Sequence, residues 1–201
     1  MKTIDFHLDF ISPYAWLAFN QLPIALEGLN YSLRYKPVLL GALLRHHGQL
    51  GPAEIPAKRD WTYRHAAFVA QSLGVSLQMP TVHPFNPLPL LRLALACAPA
   101  GAPDAPGRFV CERLFRHVWC SGGADAVEPD RLALLLRELK PRLPVQDEAV
   151  KAQLKTNTDA AIALAVFGVP TFVVDGSIFW GLDALPMLRA HLQTADLASA
   201  G

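Results

Sequence analysis

Residues 3–15 read TIDFHLDFISPYA, and this stretch decides the fold. Its first eight residues alternate between polar and apolar side chains, and a period of two is typical of a β-strand. Ser12 then suits a helix N-cap, and Pro13 suits the first helical residue because proline lacks an N–H group that this position leaves unpaired. The stretch therefore predicts a strand over residues 3–10 that turns directly into a helix ending near Gly28.

A second alternating segment, residues 31–39, completes a β-α-β unit. Between residues 40 and 155 the alternation disappears. Apolar residues at helical spacing, separated by Pro and Gly, predict an all-helical block there. The predicted helices of this block are 57–73, 86–98, 105–120, 129–139 and 146–155.

The strand pattern returns near the C-terminus. An alanine-rich helix over residues 158–167 is predicted to stop at Gly168, and a strand over 169–174 follows. Asp175-Gly176-Ser177 predicts a hairpin turn into a strand over 178–180, after which a last helix runs through His191. The predicted fold class is α/β, with a domain built from residues 1–39 and 156–201 and a helical insertion domain over residues 40–155.

Charge and hydropathy exclude several function classes. The 201 residues include 18 Lys and Arg against 17 Asp and Glu, so the chain lacks the clustered positive charge that nucleic-acid binding needs. The longest uncharged stretches, 10–26 and 160–174, contain proline and are shorter than the ~18–20 apolar residues of a membrane span. Asp5 and Asp9 interrupt the region where a signal peptide would be apolar, so we expect a cytoplasmic protein with neither nucleic acid nor membrane as partner.

The three cysteines, Cys97, Cys111 and Cys120, are odd in number and form no Cys-x-x-Cys motif. This pattern predicts reduced thiols without a disulfide framework or a zinc site. His117 and Cys120 leave a metal pair or a Cys/His nucleophile open, although no further ligand has suitable spacing. Hydrophobic residues make up 52% of the chain, which leaves a deep core, an apolar pocket and a second subunit as alternatives.

Five motifs follow one another along the chain: DFISPYA at 9–15, IPAK at 55–58, HPFN at 83–86, GVPTF at 168–172 and FWGLD at 179–183. In this order they resemble the 2-hydroxychromene-2-carboxylate isomerases and the related kappa-class glutathione transferases, over nearly the whole chain. The resemblance implies a thioredoxin-like fold with an all-helical insertion, as in DsbA. It also implies glutathione as cofactor, a small aromatic acid as substrate and a homodimer.

Ser12 and Ala15 stand where the two cysteines of a redox Cys-x-x-Cys motif would stand, which excludes dithiol chemistry at this site. A helix N-terminus stabilises an anion through its unpaired N–H groups. The resemblance implies that the Ser12 hydroxyl donates a hydrogen bond to the glutathione thiolate and is catalytic. The alternative is that Ser12 is only an N-cap.

The resemblance implies further contacts with glutathione. Val169 would offer its main chain to the peptide because Pro170 would follow it in the cis form, and Asp183 would accept the γ-glutamyl ammonium group. Lys58 would pair with the glycyl carboxylate, while Gln49 stands where the family usually has Asn. An edge-strand proline, a helix-capping aspartate and a solvated lysine are the alternatives. The other implied glutathione contacts are Trp180, Gly181 and Leu182, and the implied substrate pocket comprises Tyr14, Phe85 and Trp180.

The implied reaction interconverts 2-hydroxychromene-2-carboxylate and trans-o-hydroxybenzylidenepyruvate. Reversible addition of the thiolate to a conjugated double bond leaves a single bond that rotates, and elimination then releases the thiol unchanged. One alternative is a kappa-like glutathione transferase, which consumes glutathione in conjugating small electrophiles. The other is a non-catalytic thioredoxin-like binding module without affinity for glutathione.

Overall fold

A computed structural model describes the backbone of residues 1–199 and the side chains of residues 1–194, so the predicted domain end at residues 200 and 201 lies outside the described residues. The fold is built on a four-stranded sheet of order β2-β1-β3-β4. β2 pairs with β1 in parallel, whereas β3 is antiparallel to both β1 and β4. The strands are β1 (Lys2–Leu8), β2 (Tyr31–Pro37), β3 (Thr171–Val174) and β4 (Ser177–Trp180).

Helices cover the sheet and fill the middle of the chain. They are α1 (Pro13–Ala25), α2 (Leu40–His46), α3 (Pro56–Ser72), α4 (Leu88–Ala96), α5 (Arg108–Trp119), α6 (Pro129–Leu139), α7 (Glu148–Ala163) and α8 (Leu185–Ser199), with 3-10 helices at Pro52–Glu54 and Leu182–Ala184. Between residues 57 and 155, all of them described, there is no strand, which confirms the predicted helical block. None of the helices in the described part of the chain has the length and apolar content of a membrane span.

The prediction of two separate helices over 146–155 and 158–167 is wrong, because α7 is one continuous helix. Asn157 does not interrupt it, since its side chain instead donates to the carbonyl oxygens of Pro37 (3.1 Å) and Asp104 (2.9 Å). The predicted domain border at residues 155 and 156 thus falls inside a helix. The division of the chain into two domains stays a prediction.

The short helix α2 was not predicted. It has seven residues and no side-chain cap, so local sequence gives little signal for it. Two tertiary contacts fix its start: the Leu39 N–H donates to Thr158 Oγ1 (3.1 Å) and the Leu40 N–H donates to Asp9 Oδ2 (2.9 Å). Contacts from α7 and from the end of β1 therefore hold this helix in place.

Aromatic packing joins the sheet to the helical block. Phe6 on β1 lies 4.7 Å from the ring of Phe172 on β3, and both are fully buried. Just beyond β1, the ring of Phe10 lies 4.8 Å from that of Phe115 on α5, while the indole of Trp119 donates to the Phe10 carbonyl at 3.1 Å. Phe10, which lies just before the start of α1, is thus fixed through both its ring and its carbonyl group by residues of α5.

Candidate functional site

A cavity of about 900 Å³ opens between the start of α1, helix α2, the first turns of α3 and the loop before β3. Of the predicted site residues, Ser12, Tyr14, Gln49, Phe85, Val169 and Trp180 line it. The lining does not include Lys58, Pro170, Gly181, Leu182 or Asp183. The structure therefore brings together predicted residues that are more than 150 positions apart in the chain.

Ser12 is the N-cap of α1, as predicted, and is buried. Its Oγ accepts the N–H of Ala15 at 3.2 Å, which uses a lone pair and leaves the hydroxyl hydrogen free to donate. Within residues 1–199, neither this hydrogen nor the Tyr14 N–H has an acceptor. The first turn of α1 thus presents two unused donors and a positive helix terminus beside the cavity.

The Val169-Pro170 peptide bond is cis, which confirms that expectation. The main-chain N–H and C=O groups of Val169 have no hydrogen-bond partner among the described residues. The Gly181 N–H donates to the Pro170 carbonyl at 2.9 Å. This bond places the 3-10 helix of Leu182 and Asp183 next to the cis peptide, at the border of the cavity rather than within its lining.

The basic residue in the cavity lining is one that sequence reasoning missed. Lys58 is exposed on the first turn of α3 and lies outside the lining, whereas Arg45 near the end of α2 belongs to it. In the described part of the chain the guanidinium group of Arg45 has no hydrogen-bond or ion-pair partner, whereas its main-chain carbonyl accepts the Gly48 N–H at 3.2 Å. Because α2 itself was not predicted, no sequence signal placed Arg45 beside Ser12.

Asp9 lies beneath the start of α1 and is fully buried. Its carboxylate accepts the Ile11 N–H at 3.2 Å and the Leu40 N–H at 2.9 Å, so it joins the loop before Ser12 to the start of α2. Burial raises the pKa of Asp9 to about 7 against the opposing effect of these N–H donors. The carboxyl group consequently titrates near neutral pH.

Tyr63 and His83 form a hydrogen-bonded pair in the cavity lining. His83 precedes a second cis-proline, Pro84, and its Nε2 lies 2.8 Å from the Ile11 carbonyl oxygen. Burial lowers the pKa of His83. His83 belongs to the HPFN motif, so the sequence marked its position although not its contacts, whereas nothing marked Tyr63.

The cysteines show no sign of a reactive centre. All three are free thiols, as predicted. Burial raises the pKa of Cys97 to about 11 and also raises that of Cys111. His117 Nε2 contacts the Ala126 carbonyl at 2.9 Å, and no group of three metal-binding side chains occurs in the part of the chain that the structure describes.

The chain is similar to known proteins both in sequence and in structure. A family model of the DSBA-like thioredoxin domain matches residues 3–193. A 2-hydroxychromene-2-carboxylate isomerase of Pseudomonas putida is 28% identical over 98% of this chain and 99% of its own. A glutathione S-transferase kappa 1 of Caenorhabditis elegans is 38% identical over 96% and 92% of the two chains. A solved structure of a 2-hydroxychromene-2-carboxylate isomerase, 25% identical, matches with a TM-score of 0.80 over 97% and 98%.

Proposed function

The chain belongs to the DSBA-like thioredoxin domain family, and we propose that it is a glutathione-dependent isomerase. The fold class predicted from the sequence, a DsbA-like thioredoxin fold with inserted helices, is confirmed by this match and by the similar isomerase structure. The proposed reaction interconverts 2-hydroxychromene-2-carboxylate and trans-o-hydroxybenzylidenepyruvate. The names of the Pseudomonas putida relative and of the similar structure support this choice.

One observation carries the proposal: unused donors of the Ser12 turn and the unpaired main chain of Val169 line the same cavity. A thiolate at the start of α1 would accept from the Ser12 hydroxyl and the Tyr14 N–H. A peptide along Val169 would pair with its N–H and C=O groups, as a strand pairs at a sheet edge. Glutathione has both a thiol and peptide groups, and it fits this combination.

Thiolate formation is the first requirement of the proposed reaction. A thiol of pKa ~8.5 is only a few per cent ionised at pH 7, and a drop of ~2 units makes most of it reactive. The positive end of α1 and the two donors favour the charged form. Addition of this thiolate to the conjugated double bond then permits rotation, and elimination returns glutathione unchanged.

Calorimetric titration of the protein with glutathione tests the binding, and a spectrophotometric isomerase assay tests the reaction. We expect saturable binding, turnover only with glutathione present, and no net loss of free thiol over many turnovers. S-methylglutathione, which lacks an ionisable thiol, is the matched control: it should bind but not support turnover. Turnover that is equally fast without glutathione would contradict the proposal.

A kappa-like glutathione transferase is the second candidate. It is favoured by the 38% identical relative, which is named a glutathione S-transferase kappa 1. The same site would serve both reactions because each begins with an activated thiolate. Loss of free thiol in proportion to substrate consumed, with a glutathione adduct identified by mass spectrometry, would favour the transferase.

We further propose that the protein is a cytoplasmic homodimer. Three free cysteines support a reducing compartment. Trp61 and Phe68 on α3, 60% and 66% exposed, support a second subunit that covers them. Light scattering after size-exclusion chromatography should give about twice the monomer mass, and Trp61→Glu should lower it to that of one chain.

A further inference from the structure

The Tyr63 hydroxyl lies 2.6 Å from His83 Nδ1 and 3.0 Å from the His83 carbonyl oxygen. His83 Nε2 lies 2.8 Å from the carbonyl oxygen of Ile11, the residue before Ser12. These hydrogen bonds form a continuous network from the cavity wall to the start of α1. The proposed binding and ionisation of glutathione do not involve this network.

The direction of the hydrogen bonds follows from the chemistry of the partners. A carbonyl oxygen only accepts, so His83 Nε2 carries a hydrogen and donates to Ile11. Burial, which lowers the pKa of His83, keeps the ring neutral. Nδ1 is then a bare acceptor, and the single hydrogen of the Tyr63 hydroxyl is assigned to this nitrogen at 2.6 Å rather than to the His83 carbonyl oxygen at 3.0 Å. The lone pairs of the Tyr63 oxygen receive no donor from the described residues and are available to a ligand in the cavity.

We infer that Tyr63 accepts and returns the proton of a substrate hydroxyl, with His83 as the group that takes up the proton Tyr63 gives away. The inference rests on the proposed isomerase function. It assigns to Tyr63 direct contact with the substrate and to His83 a role through Tyr63. It also restricts the substrates to compounds with a hydroxyl group at the carbon that changes bonding.

The step balances without any further reactant. The hydroxyl on carbon 2 of the chromene loses its proton to Tyr63, while the proton of Tyr63 passes to His83 Nδ1. The electron pair of the broken O–H bond forms the new ketone, and the ring carbon–oxygen bond breaks with its pair on the phenolate oxygen. Tyr63 then protonates the phenolate as Nδ1 returns a proton to Tyr63, so both side chains end as they began.

The environment of Tyr63 and His83, which together form the proposed proton relay, favours the neutral form of both side chains before the substrate reacts. The rings of Phe85 and Trp119, which carry no charge, pack 6.0 and 5.7 Å from that of His83. Burial raises the pKa of the Tyr63 hydroxyl, while the charge of Arg59 lowers this pKa and that of Asp60 raises it. Tyr63 therefore remains a phenol, and protonated His83 arises only during the transfer.

The test compares Tyr63→Phe and His83→Gln with the wild type at saturating glutathione. Because positioned proton transfer contributes typically ~10²–10⁴-fold, we expect Tyr63→Phe to lower kcat for the isomerisation at least 100-fold while the Kd for glutathione changes less than twofold. We expect His83→Gln to lower kcat as well, again with little change in the Kd for glutathione, because Tyr63 then has no ring nitrogen to take its proton. Tyr31→Phe and His46→Gln, both outside the cavity, are the matched controls.

Imidazole nitrogen NMR tests the relay apart from turnover. We expect a pyrrole-type Nε2 and a pyridine-type Nδ1 for His83, with Nδ1 shifted in Tyr63→Phe. The opposite tautomer would overturn the relay, and so would full activity in Tyr63→Phe or in His83→Gln. Absent glutathione binding in the wild type would instead overturn the proposed function, and the NMR result would still decide the hydrogen-bond direction.

Discussion

The Oγ of Ser12 accepts the N–H of Ala15 at 3.2 Å, so the same hydroxyl caps α1 and faces the cavity. The capping bond uses an oxygen lone pair, and the hydrogen is left for a ligand. Capping and thiolate binding are therefore compatible roles rather than alternatives. Substitutions of Ser12 can nevertheless separate them, because glycine tolerates the N-cap position almost as well as serine does.

Ser12→Ala and Ser12→Gly both remove the donor, and we expect each to lower kcat/KM by about 10–1,000-fold, as for one lost donor to a developing charge. Ser12→Ala should also lose ~1 kcal/mol of stability, whereas Ser12→Gly should lose only a few tenths. The pKa of bound glutathione, followed by thiolate absorbance, should rise toward ~8.5 in both variants. Wild-type kinetics in Ser12→Gly would show that Ser12 serves only as a cap.

Arg45 and Lys58 offer two different partners for a carboxylate. Lys58 is the one that the family resemblance implies, but Arg45 is the one in the cavity lining. We expect Arg45→Gln to weaken carboxylate binding about 10-fold, in line with a charged hydrogen bond at a partly wet site, and Lys58→Gln to change it less than twofold. Glutathione Kd and substrate KM, measured separately, identify whose carboxylate is held. A larger effect from Lys58→Gln would contradict this assignment.

The contrast between the two basic residues shows how far the sequence predicts the site. The alternation over residues 3–10 and the Ser-Pro cap are local signals, and they placed β1, α1 and Ser12. The cis form of Pro170 came from the family resemblance. Arg45 and Tyr63 have no such signal, because contacts of Asp9 and Thr158 with the start of α2 bring Arg45 to the cavity and only folding brings Tyr63 to His83.

Gly181 has a φ of +99°, and a Cβ there would overlap an Asp183 carboxylate oxygen. Because ψ is 163°, this residue lies in a backbone region that essentially only glycine adopts. We expect Gly181→Ala to destabilise the fold by ~1–3 kcal/mol and to weaken glutathione binding by displacing Asp183. Gly176→Ala is the matched control, since its φ is +80° but no atom lies within 4 Å of the added Cβ. Equal glutathione Kd values in the two variants would remove Asp183 from the proposed binding site.

His7 on β1 is buried, and neither ring nitrogen has a hydrogen-bond partner among the described residues. The pKa of His7 is lowered to about 4, mainly by burial and further by the positive charges of Lys36 and Arg34. The unfolded chain takes up a proton below pH ~6.5 and the folded chain does not, so stability falls as pH drops from 6.5 toward 4, by up to about 3 kcal/mol.

Denaturant unfolding of His7→Leu checks this linkage. The free energy of unfolding of the variant, minus that of the wild type, should rise as pH is lowered from 7 to 4.5, because leucine has no proton to take up. The exposed His46→Gln should show no such trend. A difference that stays constant with pH would mean that His7 finds a partner in solution.

Asp9 should produce the opposite pH dependence. Its folded pKa of about 7 lies above the ordinary value of 3.8, so the stabilisation is complete below pH 3.8 and is lost as pH rises through 7, by up to about 4 kcal/mol. Asp9→Asn cannot titrate, and its amide can accept from either Ile11 or Leu40 but must present N–H hydrogens to the other. At pH 5 we therefore expect the variant to be less stable than the wild type by ~1–3 kcal/mol, the cost of one unsatisfied buried group.

Between pH 5 and pH 8.5 this deficit should shrink, because the wild type must then bury an ionised carboxylate while the variant stays neutral. Denaturant unfolding at several pH values measures the deficit, and exposed Asp159→Asn provides the control for a surface carboxylate. His7→Leu keeps Asp9, so comparing this variant with the wild type isolates the part of the pH dependence of stability that comes from His7. Comparing Asp9→Asn with the wild type isolates the part that comes from Asp9. A deficit that is the same at pH 5 and 8.5 would show that Asp9 keeps one protonation state throughout, and its bonds to Ile11 and Leu40 would then hold the start of α1 against α2 independently of pH.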